Sequence, residues 1–469
     1  MNPIISLSLR GTIVGLTLLP AVPRAQPVVA SAAPVTSSRV IASATPVTSS
    51  RVIASAVPVT SPRIVAPAVP LTSSQAAGEV RGMWVVRSSI TTPGSIARVV
   101  ALARSHNFNT LFVQVRGRGD AFYESGIEPR SEDLAGQPLS FDPLAETLRQ
   151  AHAAGLQVHA WMNTCFVWGS PHAPVSPEHV VNAHPDWLDR DPSGKSRLTT
   201  GGDCEGAFLS PANLGARKHI HDVFLEVATK YDIDGIHFDY IRYPNLTFDY
   251  SDASLSRFQD EIVPTLSAGQ CAALDAKLRK DRLAYVHAFP IHYADFRRRQ
   301  VTEMVRDISH DLKAAKPSLI VSAAVFADSK DAYVTRGQDW KTWLREGYLD
   351  AVVPMAYGAD TTKVAAQIAD AVSCAREAHR FAYAGIGSWH IPAESTVAKI
   401  AAARKLGAQG EVLFSYGGMT RDGATSAYLD KVSGACFNQS AGVPRMAWLP
   451  GKPGEQTAAD TEAGQEAGG

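Results

Sequence analysis

The spacing of apolar positions divides the chain into stretches of different character. From residue 79 onward, short β-branched runs alternate with amphipathic stretches of helical period. The runs predict strands at 80–87, 109–117, 157–163, 235–242, 319–327, 351–358, 381–389 and 410–416. Most are apolar almost throughout rather than at every second position, the pattern of parallel strands covered on both faces. Helices are predicted between them at 96–106, 143–154, 216–230, 296–315, 364–379 and 396–406, with Gly155 and Gly407 placed to stop two of them. Repeated strand–helix units of this kind predict the α/β class and a single (β/α)8 TIM barrel. A doubly wound open sheet is the runner-up, but no strand runs straight into a glycine-rich phosphate turn.

Two connections are long, 164–213 after the third strand and 243–292 after the fourth. In a barrel both lie on the C-terminal face, where active sites are built. This placement makes the strand ends the first place to look for chemistry.

The residues before 79 follow other rules. Arg10, the apolar run 11–22 and the small residues after it predict an export signal over 1–30. A twelve-residue repeat then starts at Ala30, Ala42 and Ala54 (ASAAPVTSSRVI, ASATPVTSSRVI, ASAVPVTSPRIV), with a decayed copy from Ala66. Each copy holds a proline, many Ser, Thr and Ala residues and no aromatic ring, so it cannot bury a face that offsets chain entropy. Residues 31–78 are therefore read as a disordered linker, 79–445 as the barrel, and 446–469 as a disordered tail. The expected location is exported: periplasm, cell envelope or extracellular.

Composition narrows the partners. With 45% hydrophobic residues the chain can bury a large core, while Lys+Arg and Asp+Glu are both 45. A nucleic-acid binder held by phosphates needs a basic surplus, so no nucleic-acid partner is expected. No unbroken apolar run reaches the length of a membrane-spanning helix. Five cysteines are too few for a disulfide-built scaffold. Cys165 and Cys204, both in the long third loop, are a candidate pair. No metal-ligand frame, nucleophile elbow or P-loop occurs, so neither a metal nor a cofactor is expected.

The strand ends concentrate carboxylates, an amide, arginines and aromatic rings. Carbohydrate sites need this mixture, because rings pack on sugar C–H faces while amides, arginines and carboxylates bind hydroxyls. Two carboxylates on one rim can also divide the work of glycoside cleavage. Alternation on the fourth strand puts His237, Asp239 and Ile241 on one face and Phe238 and Tyr240 on the other, with small Gly235 opening the inward series. Asp239 is the leading catalytic candidate, with Asp120 or Asp328 as its partner. Arg116, Asn163, His237, Tyr357 and Trp389 are the candidate substrate-binding residues. Each has a structural alternative: an ion pair with Arg242 or Arg116 for Asp239, a turn or helix cap for Asp120 and Asp328, a satisfied structural group for His237. Trp161 reads as core.

Five segments resemble one family in their order along the chain: RGMWVVR from Arg81, VQVRGRGDAFYESGIEP from Val113, HAWMN from His159, DGIHFDYIRYP from Asp234 and QDWKTWLREGYLDAVVPMAYG from Gln338. They are similar to the glycoside hydrolase-like family ten barrels of bacteria, across roughly 79–419. The resemblance implies a TIM-barrel hydrolase of polysaccharide glycosidic bonds. One branch of that family acts on cell-wall glycan stripped of its stem peptides, so peptidoglycan glycan strands are the implied partner. Members often have Asp-Asp-Tyr after His-Phe, whereas here the second position is Tyr240. The resemblance thus transfers Asp239 alone from that pair, with Arg116, Asp120 and Asn163 as rim residues. Two other readings remain: a non-catalytic glycan-binding barrel in a wall complex, and an amidase or deacetylase that would need clustered His and Asp ligands.

Overall fold

A computed structural model describes residues 78–201, 204–420 and 426–451. The expected export signal and nearly all of the repeat linker lie outside the described residues. Among the described residues there are ten strands: β1 Val80–Val85, β2 Thr110–Arg116, β3 Gln157–Asn163, β4 Phe166–Trp168, β5 Ala207–Phe208, β6 Gly235–Asp239, β7 Ile320–Phe326, β8 Ala351–Ala356, β9 Phe381–Gly387 and β10 Gly410–Phe414. All except β4 and β5 close into a parallel barrel in the order β1-β2-β3-β6-β7-β8-β9-β10, with β10 returning to β1. The architecture is therefore the predicted (β/α)8 barrel.

The core has two layers. Val80, Phe112, Ala351, Val353, Tyr383 and Val412 fill the barrel interior, while Met83, Val113, Val158, Ile236 and Val321 face outward against the helices. Gly235 admits the ring of His159, since a Cβ there would lie 2.6 Å from the imidazole Nδ1. The helices begin and end as local chemistry directs. Thr92 and Ser95 form a reciprocal capping box at Pro93–Ser105, and Gly407 closes Ala393–Leu406 in the left-handed conformation.

The two long connections are structured. The third-strand loop contains the antiparallel ribbon β4–β5 and a helical turn, Val180–Ala183. The fourth-strand loop holds the helices Asp252–Ile262, Ala268–Leu278 and Ala284–Ala288, and leads into Pro290–Ala315, which starts well before the predicted residue 296. Phe258, Leu274, Tyr285, Tyr293 and Phe296 give this insertion its own core.

Two expectations are corrected. Cys165 and Cys204 are free thiols. Cys165 is sealed in the main core and Cys204 donates to the carbonyl of Gly206 at 3.1 Å, with burial pushing the two thiols up to about 12 and about 11. The tail is ordered at its start: Met446 is buried in the barrel interior, and Trp448 lies on Phe381 and Arg380 and donates from Nε1 to Asp350 at 2.8 Å. An open barrel end needs an apolar closure, and Met446, Trp448 and Leu449 supply it. Trp448→Ala should destabilise the fold by about 2 kcal/mol, from the apolar area returned to water. Thermal unfolding measures this, and an unchanged midpoint would remove the closure role.

Candidate active site

β3 and β6 lie side by side in a register that pairs Asn163 with Asp239 and Trp161 with His237. Both strands stop there. Tyr240 adopts φ +50, a left-handed conformation uncommon for a non-glycine residue, and turns the chain out of the strand. The turn ends the alternation predicted over 235–242. Tyr240 therefore joins Asp239 at the cavity, while Ile241 goes to the outer core.

The cavity has a volume of about 530 Å³ and opens at the C-terminal end of the barrel strands. Its polar floor is a connected set. Trp161 Nε1 donates to Asp239 Oδ2 at 3.0 Å and to Asn163 Oδ1 at 3.1 Å. The Tyr240 amide donates to Asp239 Oδ1 at 2.7 Å. Asn163 also donates to the Gly117 carbonyl at 2.8 Å and accepts from Gln114 at 3.4 Å. Burial pushes the Asp239 carboxyl up to about 6, against the opposing pull of the Tyr240 amide, Arg242 and the Trp161 indole. Among the described residues that line the cavity, Asp239 is the sole carboxylic acid.

Aromatic rings form the walls. Tyr357 stands edge-on to Trp84 at 6.2 Å and to Trp389 at 5.0 Å, and Phe414 packs 5.5 Å from it. Gly387 permits this approach, because a Cβ there would lie 2.5 Å from the Trp389 ring and 2.9 Å from Tyr357 Cβ. On the opposite side Tyr240 packs on Phe166 at 4.9 Å. The guanidinium of Arg242 lies over the rings of Tyr240 and Phe326. Such a cleft can hold sugar rings against aromatic faces while a protonated carboxyl reaches their bridging oxygens.

The profile of the family described as Glycosyl hydrolase-like 10 matches residues 79–392. The chain belongs to this family. It is similar to Glycosyl hydrolase YngK of Bacillus subtilis strain 168, with 27% identity over 270 residues, 53% of this chain and 46% of that protein. Glycosyl hydrolase DigH of Escherichia coli K12 is 25% identical over 329 residues, 60% of this chain and 66% of that protein. The chain thus matches between about half and two thirds of the length of these relatives. A further match, 25% identical over 228 residues, covers 46% of this chain and 14% of an S-layer-related protein of Niallia circulans. Among solved structures, the PgaB (BpsB) glycoside hydrolase domain of Bordetella bronchiseptica superposes with a TM-score of 0.54 at 15% identity, over 73% of this chain and 96% of that one. The β-amylase catalytic domain of Paenibacillus polymyxa gives 0.56 at 12%, over 78% and 100%. These structures share its fold.

Within this family member, the residues singled out in the sequence separate. Asp239, Asn163 and Tyr357 line the cavity together, with Trp389 behind Tyr357. His237 is fully buried; its Nε2 accepts from Trp84 at 3.2 Å, its Nδ1 pairs with Ser322 Oγ at 2.9 Å, and burial with neighbouring His159 holds it neutral. It is a structural group, not a substrate ligand. Arg116 is also corrected. A register shift between Gln114 and Arg116 takes it out of the inward series, and its guanidinium forks onto Glu128 at 2.6 and 2.8 Å. Asp120 accepts from the Arg118 amide at 3.0 Å and from Ser131 Oγ at 2.7 Å, beside a separate small cavity. Asp328 is exposed and caps the short helix Ser329–Asp331. Neither stands with Asp239, because turn and cap chemistry uses them first.

The sequence reading missed Trp161, Trp84, Phe414, Gln114 and Arg118. Inward alternation marks Trp84, Gln114 and Trp161, but a tryptophan or glutamine near a strand end looks the same whether it packs or lines a cleft. Among the described residues, no three His, Cys, Asp or Glu side chains converge as metal ligands, and no helix is long and apolar enough to cross a membrane.

Proposed function

We propose that this chain is an exported glycoside hydrolase that cleaves glycosidic bonds in an envelope polysaccharide, with Asp239 as proton donor. One observation supports this most directly: a carboxyl buried at the floor of an aromatic cleft and raised to about 6, where roughly a tenth stays protonated at pH 7. An acid in that state can protonate the oxygen of a glycosidic bond as the bond to the anomeric carbon breaks. Membership of a glycosyl hydrolase-like family supports the same chemistry. Cell-wall glycan is the preferred substrate class, in keeping with the motifs shared with wall-acting barrels and with the likeness to an S-layer-related protein. Export rests on the apolar segment 11–22.

The test is release of reducing ends by the full chain from intact peptidoglycan and from glycan strands freed of stem peptides. Release from either supports a hydrolase, and faster release from the freed strands supports the stripped glycan as substrate. Binding without release overturns hydrolysis and favours the glycan-binding barrel. Cell fractionation that leaves the chain in the cytoplasm overturns export.

A further inference from the structure

Most glycosidases cleave the bond with two carboxyl groups, one to give a proton and one to act on the anomeric side. Asp120 and Asp328 stand elsewhere, so the partner of Asp239 has to come from another segment. The third-strand loop provides one. Glu205 sits immediately before β5, where the ribbon returns to the end of the barrel. Thr200 Oγ1 donates to its carbonyl at 2.8 Å, and that carbonyl packs close to cavity-lining Gly169, where a Cβ would lie 3.0 Å away. The next residue, Gly206, has φ +147 and leaves no room for a side chain, since a Cβ there would meet the Trp168 carbonyl at 2.0 Å. The loop therefore holds Glu205 at one position on the rim.

The Glu205 side chain divides its two oxygens. Oε1 accepts from Arg242 Nη2 at 2.7 Å, and Arg242, which lines the cavity and is only 4% exposed, is pinned over aromatic rings. Oε2 is buried and has no hydrogen-bond partner. Arg242 thus orients the carboxylate through one oxygen and leaves the other without a partner, next to the residues that line the cleft.

We propose that Glu205 is the second carboxylate of the hydrolytic pair, acting opposite Asp239 on the same glycosidic bond. The assignment rests on the glycosidase reading above. Asp239 gives its proton to the bridging oxygen, and the bond electrons leave with that oxygen. In a single displacement, Glu205 Oε2 takes a proton from the water whose oxygen bonds to the anomeric carbon. In a double displacement, Oε2 first holds that carbon as an ester, and Asp239, now a carboxylate, takes the proton from the water that expels Glu205. At the end the sugar carries a new hydroxyl. The proximity has an electrostatic trace: after burial, the Glu205 charge is among the influences that raise the Asp239 carboxyl.

The test uses the full chain, glycan strands freed of stem peptides, and Glu205→Gln, which keeps an oxygen for Arg242. Expected is a kcat at least about 10²-fold below wild type, with the melting temperature unchanged. Glu205→Ala should recover turnover in azide, which fills the vacated space and leaves as a glycosyl azide. An E205Q enzyme within about threefold of wild-type kcat, or one altered in KM alone, overturns the assignment while leaving the hydrolase intact. A loss of kcat without azide recovery in E205A overturns it as well, assigning Glu205 to the support of Arg242. A wild type that releases nothing from either wall polymer overturns the hydrolase itself.

Discussion

Replacing Asp239 with asparagine is expected to lower glycan hydrolysis at least about 10²-fold and to remove the alkaline limb of the pH profile. The carboxyl is competent as a donor only while protonated, and burial holds it up to about 6. Wild-type kcat/KM should therefore fall about tenfold per pH unit above that value. The same shift acts on stability. A carboxyl whose folded value lies above its ordinary 3.8 binds its proton more tightly in the folded state. The penalty for ionising it is absent below about pH 4, grows as pH rises through about 6, and is complete above that, on the order of 3 kcal/mol. D239N abolishes that contribution, so its melting temperature should decline less than wild type's between pH 4 and pH 7. Asparagine offers one oxygen to two donors, the Trp161 indole and the Tyr240 amide, so the comparison that matters is the pH slope and not the absolute midpoint. Hydrolysis within about threefold of wild type would remove Asp239 as the acid.

The barrel was legible because its signal is repeated and local: continuous apolar runs, helical period and stop residues recur around the whole ring. The position of Asp239 in the cleft was legible for a related reason, since it ends a strand of fixed alternation in a fold whose strand ends face one way. The failures came where the backbone leaves regular geometry. A register shift at Gln114 and Arg116 redirected the arginine, and the positive φ of Tyr240 brought a ring expected on the far face into the cleft. Asp120 and Asp328 failed differently. An aspartate near a strand end satisfies a turn or a helix start as readily as a substrate, and only the hydrogen-bond geometry distinguishes the uses. Glu205 had no signal at all: its place depends on how a long loop folds back, which no periodicity encodes.

Arg116 gives the second large expected effect, one on folding and not on turnover. Arg116→Met should destabilise the barrel by about 3–5 kcal/mol, because it strands the buried carboxylate of Glu128. Burial alone would raise that carboxyl, but Arg116 and His219 outweigh it and hold it down to about 2. His219 Nε2 lies 3.0 Å from Glu128 Oε1 and cannot replace the two-pronged contact. Arg116 also donates to the carbonyls of Asn163 and Thr164, tying down the end of β3 beneath the cleft. A folded value below the ordinary 4.5 means that the Glu128 contribution is present above about pH 4.5 and is lost as pH falls toward 2. Wild type should therefore weaken over that acid window. R116M, in which ionised Glu128 has become a liability, should lose much less there. Replacing the pair together, Arg116→Met with Glu128→Leu, should recover at least half of the loss, since an apolar pair of similar volume avoids the desolvation that an unpaired ion suffers. Denaturant unfolding of the two single variants and the double variant measures the coupling directly. An R116M protein as stable as wild type but unable to retain glycan would return Arg116 to the substrate-binding role expected from its sequence position.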